Sequence, residues 1–216
     1  MSDQPVVVLQ ANPHFVYDVA FSPDGRTLAT VGTGLSLRLW DTTRRQHPEP
    51  AEVRQAAPEE GEHDLFAVAF SPNGQKLACG GNHVIHLWDL QSHKPPQTLR
   101  QHSSWIYSVA FSPDGATLAS GSPDCTVCLW DVTQGTLRAI LQGHTETVYK
   151  AAFSPDGAFV LSCSFDGTIK FWDVQTGECV NTLCVDGPYV GMNITGITGV
   201  PPAQTAALKA LGAVEG

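Results

Sequence analysis

The chain has 216 residues, of which 42% are hydrophobic and 15% charged, so it can bury one sizeable core and does not have the composition of a disordered protein. Twelve Lys and Arg against 21 Asp and Glu give a formal net charge of -9, which repels phosphate backbones and argues against a nucleic-acid partner. The first apolar run, residues 6–9, is too short for a signal peptide or a membrane span. We therefore expect a cytoplasmic protein without a membrane partner, with its six cysteines reduced.

One short segment, Ala-Phe-Ser-Pro-Asp-Gly at residues 20–25, recurs in the same or closely similar form at residues 69–74, 110–115 and 152–157. Each copy is followed by a Trp-Asp pair, and these pairs begin at Trp40, Trp88, Trp130 and Trp172. The period is therefore 48 residues once and 42 residues twice. Ser-Pro-Asp-Gly is typical of a tight turn, because Pro presets φ, Asp bonds its own backbone and Gly accepts a positive φ.

The last period shows how the strands lie around these turns. Residues 148–153, 159–162 and 168–172 each read as a short strand, with a second turn at residues 165–167. A fourth strand is predicted in the connectors, at residues 97–100, 137–141 and 179–184. Four antiparallel strands in every 40-odd residues are typical of one blade of a β-propeller.

These repeats resemble the WD40-repeat family over roughly residues 5 to 184. The resemblance implies an all-β fold of four propeller blades, which form either a partial ring or half of an eight-bladed assembly, followed by a short C-terminal helical tail. We divide the chain into residues 1–184, which carry the repeats and their outer strands, and a tail at residues 185–216. The repeats are expected at about residues 10–41, 62–89, 101–131 and 143–173.

In this family a buried tetrad of His, Ser or Thr, Asp and Trp ties each blade together. The resemblance implies this role for His102, Ser120, Asp124 and Trp130 in the third repeat, and for His144, Ser162, Asp166 and Trp172 in the fourth. The first two repeats depart from it: they have Asn12, Thr30 and Gly34 with Trp40, and Gly61, Cys79 and roughly Asn82 with Trp88. We expect blades 1 and 2 to be softer, and His144→Ala to lower thermal stability more than His63→Ala.

The blade number predicted from the repeats is small for a closed ring. The family resemblance implies a ring of about seven blades, in which a strand before the first blade closes the last blade. Residues 6–9 could be that strand, but residues 179–184 already give the last blade an outer strand, which leaves one strand too many for a closed four-bladed ring. An open row of blades exposes apolar faces that natural proteins normally cover. We expect a second copy of the chain, a partner protein, or upstream blades of a longer gene product to cover them.

Two segments leave the repeat pattern. The connector at residues 42–64 is rich in Glu and Pro and is interpreted as a solvated acidic loop, with a docking site for a basic partner as the alternative. The tail contains a strand-like run at residues 192–198 and a short Ala- and Leu-rich helix at about residues 202–211. Its residues 191–196, 203–204 and 208–213 resemble the C-terminal tails of bacterial, notably cyanobacterial, multidomain WD40 proteins.

The sequence contains none of the common phosphate-binding, zinc-protease, nucleophile-elbow or dinucleotide motifs. His144, Ser162 and Asp166 have the residue types of a hydrolase triad, but the same set recurs in the third repeat, which favours a structural network. Cys125 and Cys128 have a redox-like or metal-like spacing, without a second cysteine pair. We predict no enzymatic activity, no cofactor and no metal site.

An aromatic residue stands four positions before each motif Phe, and the family resemblance places this position near the top face and the channel mouth. These residues, with two further aromatics six positions before and one beside the tetrad Asp, are the candidates for partner binding: Phe15, Tyr17, Phe66, Trp105, Tyr107, Tyr149 and Phe165. Packing between blades is the alternative for each. The sequence favours a non-catalytic scaffold that binds proteins or peptides, with a homodimer as one way to complete the ring. The alternative function is a C-terminal sensor or regulatory segment of a larger bacterial signalling protein.

Overall fold

The computed structural model describes residues 15–44, 50–56, 64–184 and Thr195. These residues contain sixteen β-strands and no helix, arranged as four four-stranded antiparallel sheets, which confirms the predicted all-β fold of four blades. The tail helix and the strand predicted at residues 6–9 lie outside the described residues, and of the strand predicted at residues 192–198 only Thr195 is described, in a turn. A second compact unit begins at Leu183, and only Leu183, Cys184 and Thr195 of it are described.

Each sheet uses four consecutive strands in chain order. Blade 1 consists of β1 (Val16–Phe21), β2 (Thr27–Gly32), β3 (Ser36–Asp41) and β4 (Glu52–Gln55). Blade 2 consists of β5 (Ala67–Phe70), β6 (Lys76–Gly80), β7 (Val84–Asp89) and β8 (Gln97–Arg100). Blade 3 consists of β9 (Ser108–Phe111), β10 (Thr117–Gly121), β11 (Thr126–Asp131) and β12 (Thr136–Gln142). Blade 4 consists of β13 (Val148–Phe153), β14 (Phe159–Ser164), β15 (Thr168–Asp173) and β16 (Cys179–Cys184).

The repeated turn joins the first two strands of every blade in the same way. In blade 1 the Ser22 hydroxyl donates to Oδ1 of Asp24 at 2.6 Å, and the same carboxylate oxygen accepts from the backbone N–H of Arg26 at 3.0 Å. Gly25 closes the turn with a φ of 71°. Ser112 with Asp114 and Ser154 with Asp156 repeat these bonds in blades 3 and 4.

Three apolar cores hold the described blades together, one at each junction between consecutive blades. At each junction, aliphatic side chains of one blade pack on the valine and tryptophan side chains of the next. Val68 and Val109, which pack on the preceding blade, are buried, whereas Val19 at the same position of blade 1 is 53% exposed. Among the described residues, therefore, no core joins blade 4 to blade 1.

The connector after blade 1 is more ordered than the sequence predicted. Within residues 42–64, which we interpreted as a solvated acidic loop, Glu52–Gln55 forms β4 and pairs with β3. Arg54 occupies the position that Leu99 and Leu141 occupy in blades 2 and 3, opposite the third residue before the Trp. This position faces the next blade, so the side chain of Arg54 is buried.

Candidate functional site

The seven aromatic residues singled out by the repeat pattern lie in one continuous run of ring contacts. The run passes from Phe15 to Tyr17, Phe66, Tyr107, Tyr149 and Phe165, with steps of 5.1 to 6.3 Å between ring centroids. Trp105 lies beside it, 5.7 Å from Phe66 and 6.0 Å from Tyr107. We call these seven residues the aromatic run.

Irregular backbone at the start of each first strand presents the rings of the run. In blade 1 the register shifts between Val16 and Asp18, and in blade 4 between Val148 and Lys150, so Tyr17 and Tyr149 each occupy the extra position of a bulge. A bulge turns a side chain away from the regular alternation of the strand. Phe66 immediately precedes its strand, and its backbone N–H donates to the Gly80 carbonyl at 2.7 Å.

Buried neighbours fix the position of the rings at the junctions between blades. Ile106, between Trp105 and Tyr107, is fully buried, and its N–H donates to the carbonyl of Gly81 in the preceding blade at 2.9 Å. A Cβ on Gly80 would lie 2.7 Å from Cγ2 of Ile106, so this close approach requires glycine. The aromatic residues on either side of Ile106 are thus held by the blade packing itself.

The exposure of the run separates its members into two groups. Phe15, Tyr17, Trp105, Tyr149 and Phe165 are exposed, from 44% for Tyr17 to 72% for Phe165. Phe66 and Tyr107 are half-buried between their neighbours. Burial, with the nearby Tyr149, raises the pKa of Tyr107. The sequence left two alternatives for each ring, partner binding and packing between blades. Neither alternative holds for every ring, because the run combines packing between blades with a continuous exposed surface.

The tetrads of blades 3 and 4 form chains of hydrogen bonds. In blade 4, Nε1 of Trp172 donates to the Ser162 hydroxyl at 2.8 Å, this hydroxyl lies 2.7 Å from Nε2 of His144, and Nδ1 of His144 lies 2.8 Å from the Asp166 carboxylate. Blade 3 repeats the chain with separations of 2.9, 2.8 and 2.8 Å between its four members, Trp130, Ser120, His102 and Asp124.

The carboxylates at the end of these chains are held in the ionised form. Burial opposes ionisation of Asp124, but hydrogen bonds from His102 and Thr126 outweigh it and hold the pKa well below its ordinary value. At Asp166 burial is likewise outweighed, here by hydrogen bonds from Thr168 and His144, so its pKa is also depressed. With an ionised acceptor, Nδ1–H of each His donates to the carboxylate, and Nε2 accepts from the serine hydroxyl.

A family model described as WD domain, G-beta repeat matches residues 3–41, 60–89, 93–131 and 135–173. The chain belongs to the WD40-repeat family. A comparison with curated proteins found no match. WD40 repeats generally mediate protein–protein interaction. In the part of the chain that the structure describes, no helix has the length and apolar character that crossing a bilayer requires.

The first two WD40 repeats keep only part of the tetrad. In blade 1, Nε1 of Trp40 donates to the Thr30 hydroxyl at 3.0 Å, so the bond at the Trp end is retained. In blade 2 the partner of Trp88 is the Cys79 sulfur, a weak acceptor, and Nε1 of Trp88 makes no conventional hydrogen bond. Asn12 and Gly61, which stand in place of the His, lie outside the described residues.

Cys125 and Cys128, the cysteine pair singled out in the sequence, do not form a metal site in the described ranges. All six cysteines are free, and no three His, Cys, Asp or Glu side chains there lie close enough to hold a metal ion. Burial raises the pKa of the Cys128 thiol to about 12 and lowers the pKa of His86 to about 4. Cys125 stands where blade 4 has Gly167, and both adopt a positive φ, 68° and 77°.

Sequence reasoning missed the polar contacts that tie one WD40 blade to the next. Arg54 donates through Nη1 to the carbonyls of Asp89 and Ser92, at 2.9 and 3.0 Å, and through Nη2 to that of Leu90 at 3.2 Å. Asp18 accepts from the N–H of Val68 at 2.9 Å. The sequence signal that could have pointed to Arg54 was an arginine within the acidic connector, in the segment where the other blades have their outer strand.

Proposed function

We propose that this chain is a non-catalytic scaffold that holds other proteins, and that the aromatic run is its contact surface. The observation that carries the proposal is the continuity of seven aromatic rings across all four blades, five of them exposed. Large rigid aromatic side chains supply most of the binding energy in protein interfaces, at a low cost in conformational entropy. Covering these exposed rings with a partner lowers the free energy, whereas leaving a contiguous apolar surface in contact with water is costly.

The polar geometry supports a scaffold more than an enzyme. The serine hydroxyls of the two triad-like sets, Ser120 and Ser162, are buried, and each oxygen accepts a hydrogen bond from a tryptophan. A hydrolase nucleophile needs an accessible hydroxyl and an oxyanion hole. The tetrads therefore serve the structure of the blades in this proposal, as their repetition suggests.

A matched pair of phenylalanines tests the contact surface. Phe15 and Phe21 are both 63% exposed at the two ends of β1, but only Phe15 belongs to the aromatic run. Proteins captured by the purified chain from an extract of its source cells would be purified, and their affinities for variants measured by calorimetry. We expect Trp105→Ala and Phe165→Ala to weaken a captured partner more than about tenfold. Phe15→Ala should have a smaller effect in the same direction, and Phe21→Ala none.

A partner that binds all these variants equally would contradict the use of the aromatic run. If Phe21→Ala alone weakened binding, the contact surface would lie on the open face of blade 1 instead. The folding of each variant is checked by its thermal transition, so that a lost interaction is separated from a lost structure.

We also propose that a second copy of the chain covers the open faces and completes an eight-bladed ring. Phe21 and Val19 of blade 1 are exposed where Phe70, Phe111 and Phe153, with their neighbouring Val68, Val109 and Ala151, pack on a preceding blade. The opposite face of blade 4 presents Ile169 and Phe171, which are half-buried, where Val127 and Leu129 are buried in blade 3. Two such junctions related by a two-fold axis would close the ring.

The alternative function, a C-terminal sensor or regulatory segment of a larger bacterial signalling protein, rests on the same open faces, which upstream blades would then cover. Light scattering coupled to size exclusion separates the two. A stable species of twice the 23.1 kDa chain mass, dissociated by Phe21→Asp, supports the second copy. A monomer that aggregates with increasing concentration contradicts it and favours the larger protein.

A further inference from the structure

The aromatic run has the dimensions of an extended peptide. Its five steps from Phe15 to Phe165 measure 5.1 to 6.3 Å each between centroids. The run is therefore at most about 30 Å long, which is the length of about nine residues of extended chain at roughly 3.3 Å per residue. A line of rings, unlike a compact patch, fits a partner that makes many successive contacts along one strand of chain.

The loops beside the run carry negative charge. They comprise residues 33–35, 64–66, 81–83, 101–107, 122–125, 143–147 and 165–167, and within these described ranges there is no lysine or arginine. The same ranges contain Asp64, Asp124, Glu146 and Asp166. Lys150, one residue beyond Tyr149 in β13, is the nearest cation along that strand.

Three of these carboxylates lie near the loop between β10 and β11 of blade 3. Burial raises the pKa of the Cys125 thiol in that loop, and the charges of Glu146, Asp124 and Asp166 raise it further. The Ser164 hydroxyl donates to the Glu146 carbonyl at 3.0 Å, so Glu146 and the loop that carries Phe165 are tied together. Negative charge is thus concentrated at the end of the run where Tyr149 and Phe165 are exposed.

Aromatic faces and nearby carboxylates together select one kind of side chain. The face of an aromatic ring attracts cations, and the planar guanidinium of arginine stacks on it while keeping its N–H groups free for carboxylates. An acidic segment would gain neither of these two interactions, and a purely apolar segment would gain only contact with the rings. With a chain charge of -9, long-range attraction also favours a basic partner.

We propose that the aromatic run binds an extended, arginine-containing segment of a partner protein, with guanidinium groups stacked on its exposed rings and one of them paired with the exposed carboxylate of Glu146. This inference rests on the proposed scaffold function and adds the chemical class of the partner. The stacking sites are Tyr149 and Phe165, next to Glu146, with Trp105 as the next exposed ring along the run.

The test uses fluorescence anisotropy with the purified full chain and two labelled peptides of about nine residues. One peptide alternates arginine with glycine and serine, and the other has glutamate in place of each arginine. We expect the arginine peptide to bind, more weakly as salt is added, and the glutamate peptide to bind at least about tenfold more weakly. Tyr149→Ala and Phe165→Ala should each reduce affinity for the arginine peptide about fivefold, and Tyr149→Phe less than about twofold.

Two glutamates of blade 4 provide a matched control for the charge. Glu146 and Glu178 are both exposed, but Glu178 lies in the turn after β15, at the opposite end of the blade. Glu146→Gln should weaken the arginine peptide about twofold and Glu178→Gln should leave it unchanged. Equal binding of the two peptides, no binding of the arginine peptide, or indifference to both ring variants would overturn the inference. A further outcome concerns captured partners whose binding needs Trp105 and Phe165. If the glutamate peptide displaced such a partner more effectively than the arginine peptide, the inference would be overturned while the scaffold function would be sustained.

Discussion

Blades 3 and 4 differ from blades 1 and 2 in how polar groups hold them together. The later pair carries complete tetrads, in which Trp, Ser, His and Asp form a continuous chain of hydrogen bonds inside each blade. The earlier pair has partial tetrads but gains Arg54, a buried arginine that donates to three backbone carbonyls of blade 2. A side chain of the first strand also bonds the backbone of the next blade in both halves, at Asp18 with Val68 and at Ser108 with Ala151. The complete tetrads therefore distinguish the later half, and the arginine between the blades distinguishes the earlier half.

The largest expected effect comes from removing the arginine that joins blades 1 and 2. Arg54→Ala should lower the free energy of unfolding by about 3 kcal/mol, because three carbonyls of blade 2 lose their donor and Glu52 loses its partner at 2.8 Å. Urea unfolding measures the change. Arg44→Ala is the control, because the exposed Arg44 forms a surface ion pair with Asp41 that should contribute less than about 0.5 kcal/mol. Equal losses would mean that the contact between the blades is not what stabilises this half.

The next effect concerns the tetrad of blade 4. His144→Ala should lower the free energy of unfolding by about 2 kcal/mol, since it leaves the buried Ser162 hydroxyl and the Asp166 carboxylate without their shared partner. His93→Ala, at an exposed histidine in the turn after β7, should change stability by less than about 0.5 kcal/mol. The comparison with His63→Ala stays a prediction, because His63 lies outside the described residues. A His144 variant as stable as the His93 variant would remove the distinction between the two halves.

Acidification should weaken the later blades first. The pKa values of Asp124 and Asp166 are lowered in the folded state, so their contribution is present above the unfolded pKa of about 3.9 and is lost as the pH falls below it. Unfolding by urea at neutral pH and near pH 3 should show this loss in the wild-type chain, and Asp166→Asn should reduce it by about 1 kcal/mol. An unchanged pH dependence in the variant would show that other carboxylates dominate acid unfolding.

The sequence predicted the blade pattern well because each blade repeats the same local chemistry. Turn residues, the Trp-Asp pair and the aromatic four positions before each motif Phe recur in register, and the fourth blade was predicted nearly strand by strand, as at Val148–Phe153. Arg54 could not be predicted in the same way, because it breaks the repeat: a charged residue stands where blades 2 and 3 use leucine. The contacts within the aromatic run also depend on the spacing between blades, which no single repeat encodes.

A smaller effect than that of His144→Ala is expected at the remaining tetrad bond of blade 1. Thr30→Val keeps the volume of the side chain but removes the hydroxyl that accepts from Nε1 of Trp40, and should lower the free energy of unfolding by about 1–2 kcal/mol. Cys79→Val in blade 2 is the matched change, where only a weak sulfur acceptor is lost, and should cost less. Thermal unfolding of both variants measures the difference. If the two substitutions were equally costly, the hydroxyl of Thr30 would not distinguish blade 1 from blade 2.

The smallest effect tests the one turn in which a complete tetrad accompanies a strained backbone. Cys125 follows the tetrad residue Asp124 and has a φ of 68°, a conformation that Gly167 adopts without strain at the same position of blade 4. Cys125→Gly should raise the free energy of unfolding by about 0.5 kcal/mol, since relief of a left-handed non-glycine residue exceeds the added entropy of the unfolded chain. Cys125→Ala removes the same thiol but keeps a Cβ, so it should give no gain. A stabilisation shared by both variants would assign the effect to the thiol and its acidic surroundings, and blades 3 and 4 would then be equivalent at this turn.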